Sequence, residues 1–327
     1  MNYKIIVYDF LIIGGGPAGV AAGVYAARKK LETILIAEEW GGQSVVSAGI
    51  ENWIGTKNVP GFEFAKMLEE HVRAQEGIEI VVPDKVIKVD KSGDNFKAYT
   101  EKGKVYETKT VFVGSGARRR KLGVPGEKEF DGKGVAYCST CDAPVFAGKD
   151  VAVIGGGNAG LEAVLDLGPY AKNIWLLEYG DKLKGDPVTQ EKVKALANLK
   201  EIIYNAQTLE ILGDKFVTGL KYRIRKSFDQ AKLGQSPAEL GEEKNLDLQG
   251  VFVEIGSIPN SDMVKDLVET NKYGEIIIDS KTGRTSQKGI WAAGDVTDDP
   301  FKQNNISAGD AMKASLDAYS YLTIGEK

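Results

Sequence analysis

Residues 9–19 read DFLIIGGGPAG, an apolar run that leads into a cluster of glycines. Asp9–Ile13 is an apolar run of strand length, Gly14–Gly19 fits the spacing G-x-G-x-x-G, and the small-residue stretch Val20–Lys30 predicts a helix. Strand, glycine turn and helix in this order form a dinucleotide-binding unit. The first glycine permits the tight turn, the second lets a pyrophosphate approach the backbone, and the third lets helix and strand pack closely.

A second strand and an acid complete this unit. Thr33–Ala37 is apolar and of strand length, and Glu38 follows it directly. An acid about 20 residues past the glycines is the group that binds a ribose hydroxyl in such units. A lone glycine motif would be weak, but strand, helix and acid together predict a Rossmann-like domain.

The same plan recurs in the second half of the chain. Asp150–Ile154 repeats the opening strand, Gly155–Gly160 repeats the glycine motif, and Leu161–Leu167 predicts the helix. Asn173–Leu177 is the second strand, and Glu178 is its terminal acid. Because one plan appears twice, the sequence predicts an α/β fold with two Rossmann-like dinucleotide-binding domains.

Weaker patterns fill the rest of the chain. Gly250–Gly256, Ile276–Asp279 and Gly289–Asp295 each predict a strand, and Ser307–Tyr321 predicts a helix. The polar segment Lys226–Asn245 predicts a long surface hairpin or loop.

Cys138 and Cys141 are the only two cysteines in the chain, and Asp142 follows them. Such a lone C-x-x-C in an intracellular protein indicates redox or metal chemistry. A structural zinc ion usually takes four ligands, and His71 is the only histidine, so a zinc site would need a partner's side chains. The glycine loops on either side of the pair favour redox chemistry.

Composition excludes several classes of protein. A chain of 327 residues suits two domains, and its net charge is -4. Apart from the short run Arg118–Lys121, which we interpret as a solvated linker, no block of basic residues suggests a face for nucleic acid. No apolar run approaches the length of a membrane span. Because the apolar start lacks a cationic region and a cleavage site, we expect a first strand and a cytoplasmic protein rather than a signal peptide.

Two dinucleotide units with C-x-x-C-D just ahead of the second resemble the low-molecular-weight thioredoxin reductases. The resemblance covers essentially the whole chain in one colinear order. The motifs that carry it are Gly14–Gly19, Gly41-Gly42-Gln43, Glu51-Asn52-Trp53, Cys138–Asp142, Gly155–Gly160, Ala293-Gly294-Asp295 and Lys302-Gln303.

The chain is also similar to the reductase part of the flavoprotein subunit of alkyl hydroperoxide reductase, and this likeness is closer. It rests on Leu176–Tyr179, Tyr204–Thr208 and Gly274–Asp279. That flavoprotein carries an additional N-terminal thioredoxin-like module. This sequence begins at the first strand, so the expectation is that a separate small redox protein accepts the electrons.

The resemblance implies a discontinuous FAD domain, residues 1–117 and 248–327, with an NAD(P) domain inserted at 118–247 that carries the redox-active C-x-x-C. It also implies a homodimer. The implied FAD residues are Gly14, Gly16, Pro17, Ala18, Gly19, Glu38, Gly42, Gln43, Asn52, Gly116, Gly294, Asp295, Lys302, Gln303 and Asn304. The implied residues for the nicotinamide cofactor are Gly155, Gly157, Asn158, Ala159, Gly160, Glu178 and Tyr179.

The segment after the second strand of the NAD(P) domain predicts NADH. NADPH-dependent thioredoxin reductases carry a His-Arg-Arg cluster there, whereas this chain has Glu178-Tyr179-Gly180-Asp181-Lys182. A carboxylate accepts hydrogen bonds from the ribose hydroxyls of NADH and repels a 2′-phosphate. NADPH use aided by Lys182 and Lys184, or another donor such as ferredoxin, stays open.

By resemblance, electrons pass from NADH through FAD and the Cys138–Cys141 disulfide to a thioredoxin- or glutaredoxin-like protein. Cys141 is then the flavin-facing thiol, and Cys138 attacks the acceptor. Asp142 would be the general acid, which requires a pKa raised by burial. Two alternatives remain: the reductase component of a peroxiredoxin or alkyl hydroperoxide system, and a flavoprotein oxidase or redox-sensing module, against which the intact C-x-x-C-D weighs.

Overall fold

The computed structural model describes residues 6–47, 49–225 and 241–325. The chain divides into two compact units. The first unit comprises residues 1–118 and 258–327, and the second unit comprises residues 119–257. The terminal parts of the chain thus belong to one unit, and the middle of the chain forms the other.

The strands and helices follow in chain order. The strands are β1 (Val7–Ile13), β2 (Thr33–Ile36), β3 (Ile78–Val81), β4 (Val86–Ser92), β5 (Asn95–Thr100), β6 (Val105–Val113), β7 (Ala117–Arg119), β8 (Val135–Ala136), β9 (Asp150–Ile154), β10 (Asn173–Leu177), β11 (Leu199–Ile203), β12 (Ala206–Gly213), β13 (Val217–Ile224), β14 (Glu243–Asp247), β15 (Gly250–Val253), β16 (Ser257–Pro259) and β17 (Ile290–Ala292). The α-helices are α1 (Pro17–Arg28), α2 (Gly61–Arg73), α3 (Ser139–Asp142), α4 (Asn158–Leu167), α5 (Pro187–Lys194) and α6 (Asn304–Ile324). Short 3-10 helices cover Gly42–Val46, Ala143–Phe146 and Asp262–Val264.

The first unit is built on one mixed sheet with the strand order β3-β2-β1-β6-β5-β4, and β17 also pairs with β6. The strands β3, β2, β1, β6 and β17 are parallel, whereas β4, β5 and β6 pair antiparallel. In this register Ile12 lies between Leu35 and Phe112. Their near-complete burial explains why these strands are continuous apolar runs rather than alternating patterns.

Helices α1 and α6 pack against each other beside this sheet. Both helices bury small residues in the same core cluster, including Ala22 on α1 and Ala314 on α6, and small side chains let helix backbones approach closely. Trp291 on β17 is fully buried below them, and its Nε1 donates to Asp317 on α6 at 2.8 Å. The C-terminal helix is therefore fixed to the same core as the first glycine loop.

The second unit contains a parallel sheet with the order β11-β10-β9-β15-β8 and an antiparallel sheet with the order β12-β13-β14. Val153 on the central strand β9 lies between Leu176 and Phe252. Leu161 on α4 packs on this layer and is fully buried. Since the sheet is parallel, the segments that follow β8, β9, β10 and β15 all leave from one carboxyl edge.

The architecture confirms the predicted α/β fold with two Rossmann-type sheets. Two local predictions differ from it. Ile276–Asp279 is not a strand, because only Ile276 forms isolated bridges, to Thr270 and Thr297. Of the polar segment Lys226–Asn245, residues 226–240 lie outside the described part, and β14 begins at Glu243.

The second crossing between the units also lies elsewhere than predicted. The chain returns to the first unit at Ile258, whereas residue 248 was expected. The reason is that β15 pairs with β9 along Gly250–Val253, so these residues complete the sheet of the second unit. In the ranges 6–47, 49–225 and 241–325, no helix combines the length and apolar character that a membrane span requires.

Candidate active site

The first glycine loop connects β1 to α1. Gly14 has a φ of +119°, and a Cβ there would overlap the carbonyl oxygen of Gly114. A Cβ on Gly19 would overlap the carbonyl oxygen of Gly14. Gly16 differs, because its nearest neighbour would be the Cα of Gly42, at 3.9 Å. Packing thus requires the outer two glycines, while the middle one leaves open space at the start of α1, where a pyrophosphate would lie.

The second glycine loop connects β9 to α4 and repeats this geometry. Gly155 has a φ of +118°, and a Cβ there would overlap the carbonyl oxygen of Glu254. A Cβ on Gly160 would overlap the carbonyl oxygen of Gly155, whereas Gly157 would meet nothing within 4 Å. The residues after the middle glycines, Pro17 and Ala18 in the first loop and Asn158 and Ala159 in the second, open α1 and α4. Both loops therefore have room for a phosphate group.

The acids after the second strands differ in their surroundings. Glu38 has an exposed side chain that pairs with Lys85 at 3.0 Å. Glu178 is buried, and its carboxylate accepts hydrogen bonds from the backbone N–H groups of Gly156 at 2.7 Å and Gly180 at 2.6 Å. The Nζ of Lys184 lies 4.0 Å from Glu178. The carboxylate of Glu178 is thus held in a fixed position beside the second loop.

Arg225 lies beside the adjacent residue, Tyr179. The Tyr179 ring is half exposed, and the guanidinium carbon of Arg225 lies 3.8 Å from the ring centroid. The backbone N–H of Arg225 donates a hydrogen bond to the carbonyl oxygen of Asn205. The backbone N–H of Asn205 in turn donates to the carbonyl oxygen of Gly180. Sequence reasoning missed this cation, because Arg225 follows β13, far along the chain from Tyr179.

Residues from the two ends of the chain meet in the first unit. Gln43 donates to Asp295 at 3.0 Å, and Asn52 donates to Gln303 at 3.1 Å. Gln303 directly precedes α6. Residues about 250 positions apart are thus joined, in line with a single site built from both parts of the chain.

Two residues that form hydrogen bonds at the start of α6, Ser44 and Asn305, were not predicted. The Ser44 hydroxyl donates to Asn304 at 3.0 Å, and Asn305 donates to the carbonyl of Asn52 at 2.7 Å. Ser44 could have been noticed, since it directly follows the Gly41-Gly42-Gln43 motif. No sequence pattern marks Asn305.

The remaining predicted FAD residues lie in loops of the first unit or, for Gly42, at the start of a 3-10 helix. Gly42 has a φ of +56° and faces Gly16, and Gly116 accepts a backbone hydrogen bond from Asn260 at 2.9 Å. Gly294 has a φ of +80°, which favours glycine, and a Cβ there would lie 3.0 Å from the hydroxyl oxygen of Ser307 on α6. Lys302 pairs with Glu275 at 3.1 Å. These residues determine the path of the backbone near the first glycine loop and α6 rather than adding charge there.

Cys138 and Cys141 form a disulfide with their Cα atoms 5.4 Å apart. Both residues are half-buried, and the short helix α3 begins between them at Ser139. Asp166 on α4 accepts hydrogen bonds from the hydroxyls of Ser139 at 2.8 Å and Thr140 at 3.1 Å. The two residues between the cysteines are therefore tied to the helix of the second dinucleotide unit.

Two carboxyl groups with raised pKa values lie in the segments that follow β8 and β15, at the carboxyl edge of the parallel sheet. Burial, together with the charge of Asp131, raises the pKa of Asp142 to about 6. Burial also raises the pKa of Glu254, to about 7, although Arg119 and the N–H of Ser139 act against it. Asp142 was predicted as a proton donor, whereas Glu254 was not recognised.

Metal chemistry has no support from the side chains that the structure describes. The two cysteines are joined to each other, and no group of three or more His, Cys, Asp or Glu residues in the described ranges could hold a metal ion. The two loops with open middle glycines instead fit two dinucleotides, one in each unit.

Comparison with known proteins agrees with this arrangement. An NADH dehydrogenase of Bacillus subtilis is 45% identical over 96% of this chain and 58% of its own length. An alkyl hydroperoxide reductase subunit of Staphylococcus aureus is 43% identical over 96% of this chain and 59% of its own length. This chain thus spans less than two thirds of the curated relatives that it matches.

A solved structure matches nearly the whole length of the chain. The thioredoxin reductase of Streptococcus pyogenes has a TM-score of 0.82 and 33% identity, over 98% of this chain and 99% of that one. The resemblance to both protein groups is confirmed. The family model named pyridine nucleotide-disulphide oxidoreductase matches residues 8–314, which implies FAD and a nicotinamide cofactor. The chain therefore belongs to the pyridine nucleotide-disulphide oxidoreductase family.

Proposed function

We propose that this chain is an FAD-dependent disulfide reductase that carries electrons from NADH to a thioredoxin- or glutaredoxin-like protein. The observation that carries the proposal is the position of the Cys138–Cys141 disulfide. Cys138 follows β8 at the same carboxyl edge where Gly155 follows β9 and Glu178 follows β10. In open parallel sheets this edge is where ligands bind.

The first unit would hold FAD. The open space beside Gly16 and Gly42 would take the pyrophosphate, and the bonded pairs Gln43–Asp295 and Asn52–Gln303 would line the rest of the site. Bound FAD would supply a two-electron link between the nicotinamide and the disulfide. The start of α6 would favour negative charge near Gln303, because a helix N-terminus carries a partial positive charge.

In the dithiol form, Cys138 would attack one sulfur of an acceptor disulfide. A bond forms between Cys138 and that sulfur, and the other acceptor sulfur leaves as a thiolate. Cys141 then attacks Cys138, the Cys138–Cys141 bond forms again, and the second acceptor sulfur leaves. Two electrons and two protons pass to the acceptor. Asp142, with a pKa of about 6, can hold or release a proton beside these sulfurs.

Glu178 supports NADH as the donor. Two backbone N–H groups hold its carboxylate in place beside the second loop, so the negative charge cannot turn away from an incoming ligand. A fixed carboxylate there would accept hydrogen bonds from ribose hydroxyls and repel a 2′-phosphate.

A peroxiredoxin is a second candidate acceptor. It is favoured by the 43% identity to the alkyl hydroperoxide reductase protein of Staphylococcus aureus. The chemistry at Cys138 would be the same, since only the protein that presents the disulfide changes. By the same resemblance, we propose that the protein forms a homodimer.

Replacing Cys138 with serine tests the proposal. We expect NADH to bleach the bound flavin under anaerobic conditions as in the wild type. Reduction of thioredoxin-, glutaredoxin- and peroxiredoxin-like acceptors should fall by on the order of 10³-fold or more, because the attacking thiolate is lost. A Ser139→Thr variant serves as the matched control and should keep acceptor reduction.

Two outcomes would contradict the proposal in different ways. Unchanged acceptor reduction by Cys138→Ser would show that the disulfide is not the route to the acceptor. Bleaching by NADPH in preference to NADH would overturn the donor and leave the disulfide chemistry standing.

A further inference from the structure

Glu127 is a buried carboxyl group of the second unit with no role in the scheme above. It lies in the segment between β7 and β8, and only 4% of the residue is exposed. A carboxylate buried this deeply is costly unless its oxygens accept hydrogen bonds. The groups that donate to Glu127 therefore indicate what this carboxylate does in the fold.

Three donors reach the two carboxylate oxygens of Glu127. The backbone N–H groups of Leu122 and Gly123 donate at 2.8 Å and 2.7 Å, one to each oxygen. The hydroxyl of Tyr137 donates at 3.0 Å to the oxygen that also accepts from Leu122. One carboxylate thus joins two segments of the second unit, the one that follows β7 and the one that follows β8.

Tyr137 is the residue that directly precedes Cys138, so this contact acts one residue away from the disulfide. The Nζ of Lys121 lies 3.5 Å from the centroid of the Tyr137 ring and pairs with Asp131 at 3.1 Å. Burial, together with the charge of Glu127, raises the pKa of Tyr137, so its hydroxyl keeps its proton and remains a donor. Glu127 at the hydroxyl and Lys121 over the ring therefore hold the Tyr137 side chain.

Cys138 lies between two segments that side-chain hydrogen bonds hold in place. On the side that precedes it, the Tyr137 hydroxyl is bonded to Glu127. On the side that follows it, the hydroxyls of the two residues between the cysteines donate to Asp166. None of these hydrogen bonds uses a sulfur atom. They can therefore order the backbone around the cysteines in the dithiol as well, which lowers the conformational entropy lost when the disulfide closes.

We propose that Glu127 is a positioning residue of the disulfide site, which holds Cys138 through Tyr137 where the sulfur of Cys141 can reach it. The proposal rests on the proposed function in taking the disulfide as redox-active. In the second step of the exchange, the Cys141 thiolate attacks the Cys138 sulfur, the Cys138–Cys141 bond forms and the acceptor sulfur leaves as a thiolate. Holding Cys138 in place raises the effective concentration of Cys141 at that sulfur and so favours this step over its reversal.

Equilibration with glutathione measures this effective concentration. The purified FAD-loaded chain is incubated anaerobically with mixtures of reduced and oxidised glutathione, and the thiols are trapped with N-ethylmaleimide. Mass spectrometry then gives the fractions of dithiol, disulfide and mixed disulfide. Each Cys138–Cys141 bond that forms passes two electrons to one molecule of oxidised glutathione and releases two molecules of reduced glutathione. Flavin absorbance, recorded in the same samples, counts the electrons on the flavin separately.

Tyr137→Phe removes the hydroxyl and keeps the ring on which Lys121 lies. We expect the equilibrium constant for disulfide formation to fall by about 3- to 10-fold, the factor that one lost hydrogen bond accounts for. The fraction of chains that carry one glutathione should rise, because Cys141 displaces it less effectively. Glu127→Gln should act in the same direction, since the amide nitrogen of glutamine cannot accept from the donors that the carboxylate now serves.

Matched controls separate positioning from a general loss of stability. Tyr170→Phe removes the hydroxyl of an exposed tyrosine in the same unit, and Glu129→Gln removes an exposed carboxylate two residues after Glu127. Both variants should keep the wild-type equilibrium constant. A purely structural role of the Tyr137 hydroxyl would lower the free energy of unfolding of the dithiol and disulfide forms equally. Urea denaturation of both forms would show this, and the constant for Tyr137→Phe would then stay unchanged.

Each outcome bears on the proposal. A constant for Tyr137→Phe equal to that of the wild type would overturn it, as would an equal fall in Tyr170→Phe. If Glu127→Gln does not fold, the comparison of Tyr137→Phe with Tyr170→Phe decides alone. A wild-type disulfide that no glutathione mixture opens would overturn the proposed function as well, and this result is distinct from equal constants of a disulfide that does open.

Discussion

The two glycine loops share a backbone and differ in what surrounds it. Gly14 and Gly155 have φ values of +119° and +118°. The middle glycines, Gly16 and Gly157, have a φ of -83° in both loops and ψ values of -173° and -174°. Identical turns in two separate units show that the spacing of the glycines specifies a phosphate cradle and says nothing about which dinucleotide occupies it.

The acids that follow the second strands, Glu38 and Glu178, distinguish the two dinucleotide sites, whereas the glycine loops do not. Glu38 lies at the surface with Lys85 as its partner, whereas the Glu178 carboxylate is buried between two backbone N–H groups. An exposed, ion-paired side chain can move away from a ligand, but a buried and hydrogen-bonded one is fixed. Selectivity for the ribose substituent should therefore reside in the second loop's acid and be absent at the first.

Filling the open side of each loop should give the largest effects and should separate the two cofactors. Gly16→Val should abolish FAD retention, visible as loss of the yellow colour on purification. Gly157→Val should keep FAD and raise the KM for NADH by about 100-fold or more, about 3 kcal/mol of lost binding. The backbone at both positions accepts a side chain, since φ is negative.

Each of these variants is the control for the other. Circular dichroism should show that both fold, because nothing lies within 3.9 Å of the added Cβ in either loop. Retention of FAD by Gly16→Val, or its loss from Gly157→Val, would show that the assignment of the loops to the two cofactors is wrong.

Replacing the acids should produce the next largest effect, at one loop only. Glu178→Gln removes the fixed negative charge, so the preference for NADH over NADPH should fall by about 10-fold or more. Anaerobic flavin bleaching at a series of NADH and NADPH concentrations measures this ratio. The matched change Glu38→Gln should leave the ratio unaltered, and an equal fall in both variants would contradict the distinction between the acids.

Much of the fold was predictable because local patterns carried it. Both strand–glycine–helix units follow from apolar runs and glycine spacing, and Asn173–Leu177 was predicted with its observed bounds. The prediction of a strand at Ile276–Asp279 was wrong, because an apolar run alone does not distinguish a strand from an irregular buried segment. The later crossing at Ile258 follows from the pairing of β15 with β9, which no local pattern shows.

Contacts between residues far apart in the sequence limited how much of the candidate site could be predicted. The resemblance supplied Gln43, Asp295 and the cysteines, but no spacing rule could have joined residues 252 positions apart. Glu254 and Arg225 were missed because each acts on residues that lie next to it only after the strands pair. In sequence, Glu254 is one more residue at the end of an apolar strand.

The ion pair at the first acid should give the smallest effect. Lys85→Gln removes the partner of Glu38, and both side chains are about half or more exposed, so the free energy of unfolding should change by less than about 1 kcal/mol. Urea denaturation followed by circular dichroism measures this change, and FAD retention should stay as in the wild type. Lys184→Gln is the parallel change at the second acid, where the lysine is more exposed than Lys85 but the carboxylate is buried. The KM of Lys184→Gln for NADH should differ from that of the wild type, whereas its FAD retention should be unchanged. If Lys85→Gln loses FAD instead, Glu38 needs its ion pair with Lys85 to bind the ribose. The position of the Glu38 carboxylate would then matter for binding as much as that of Glu178.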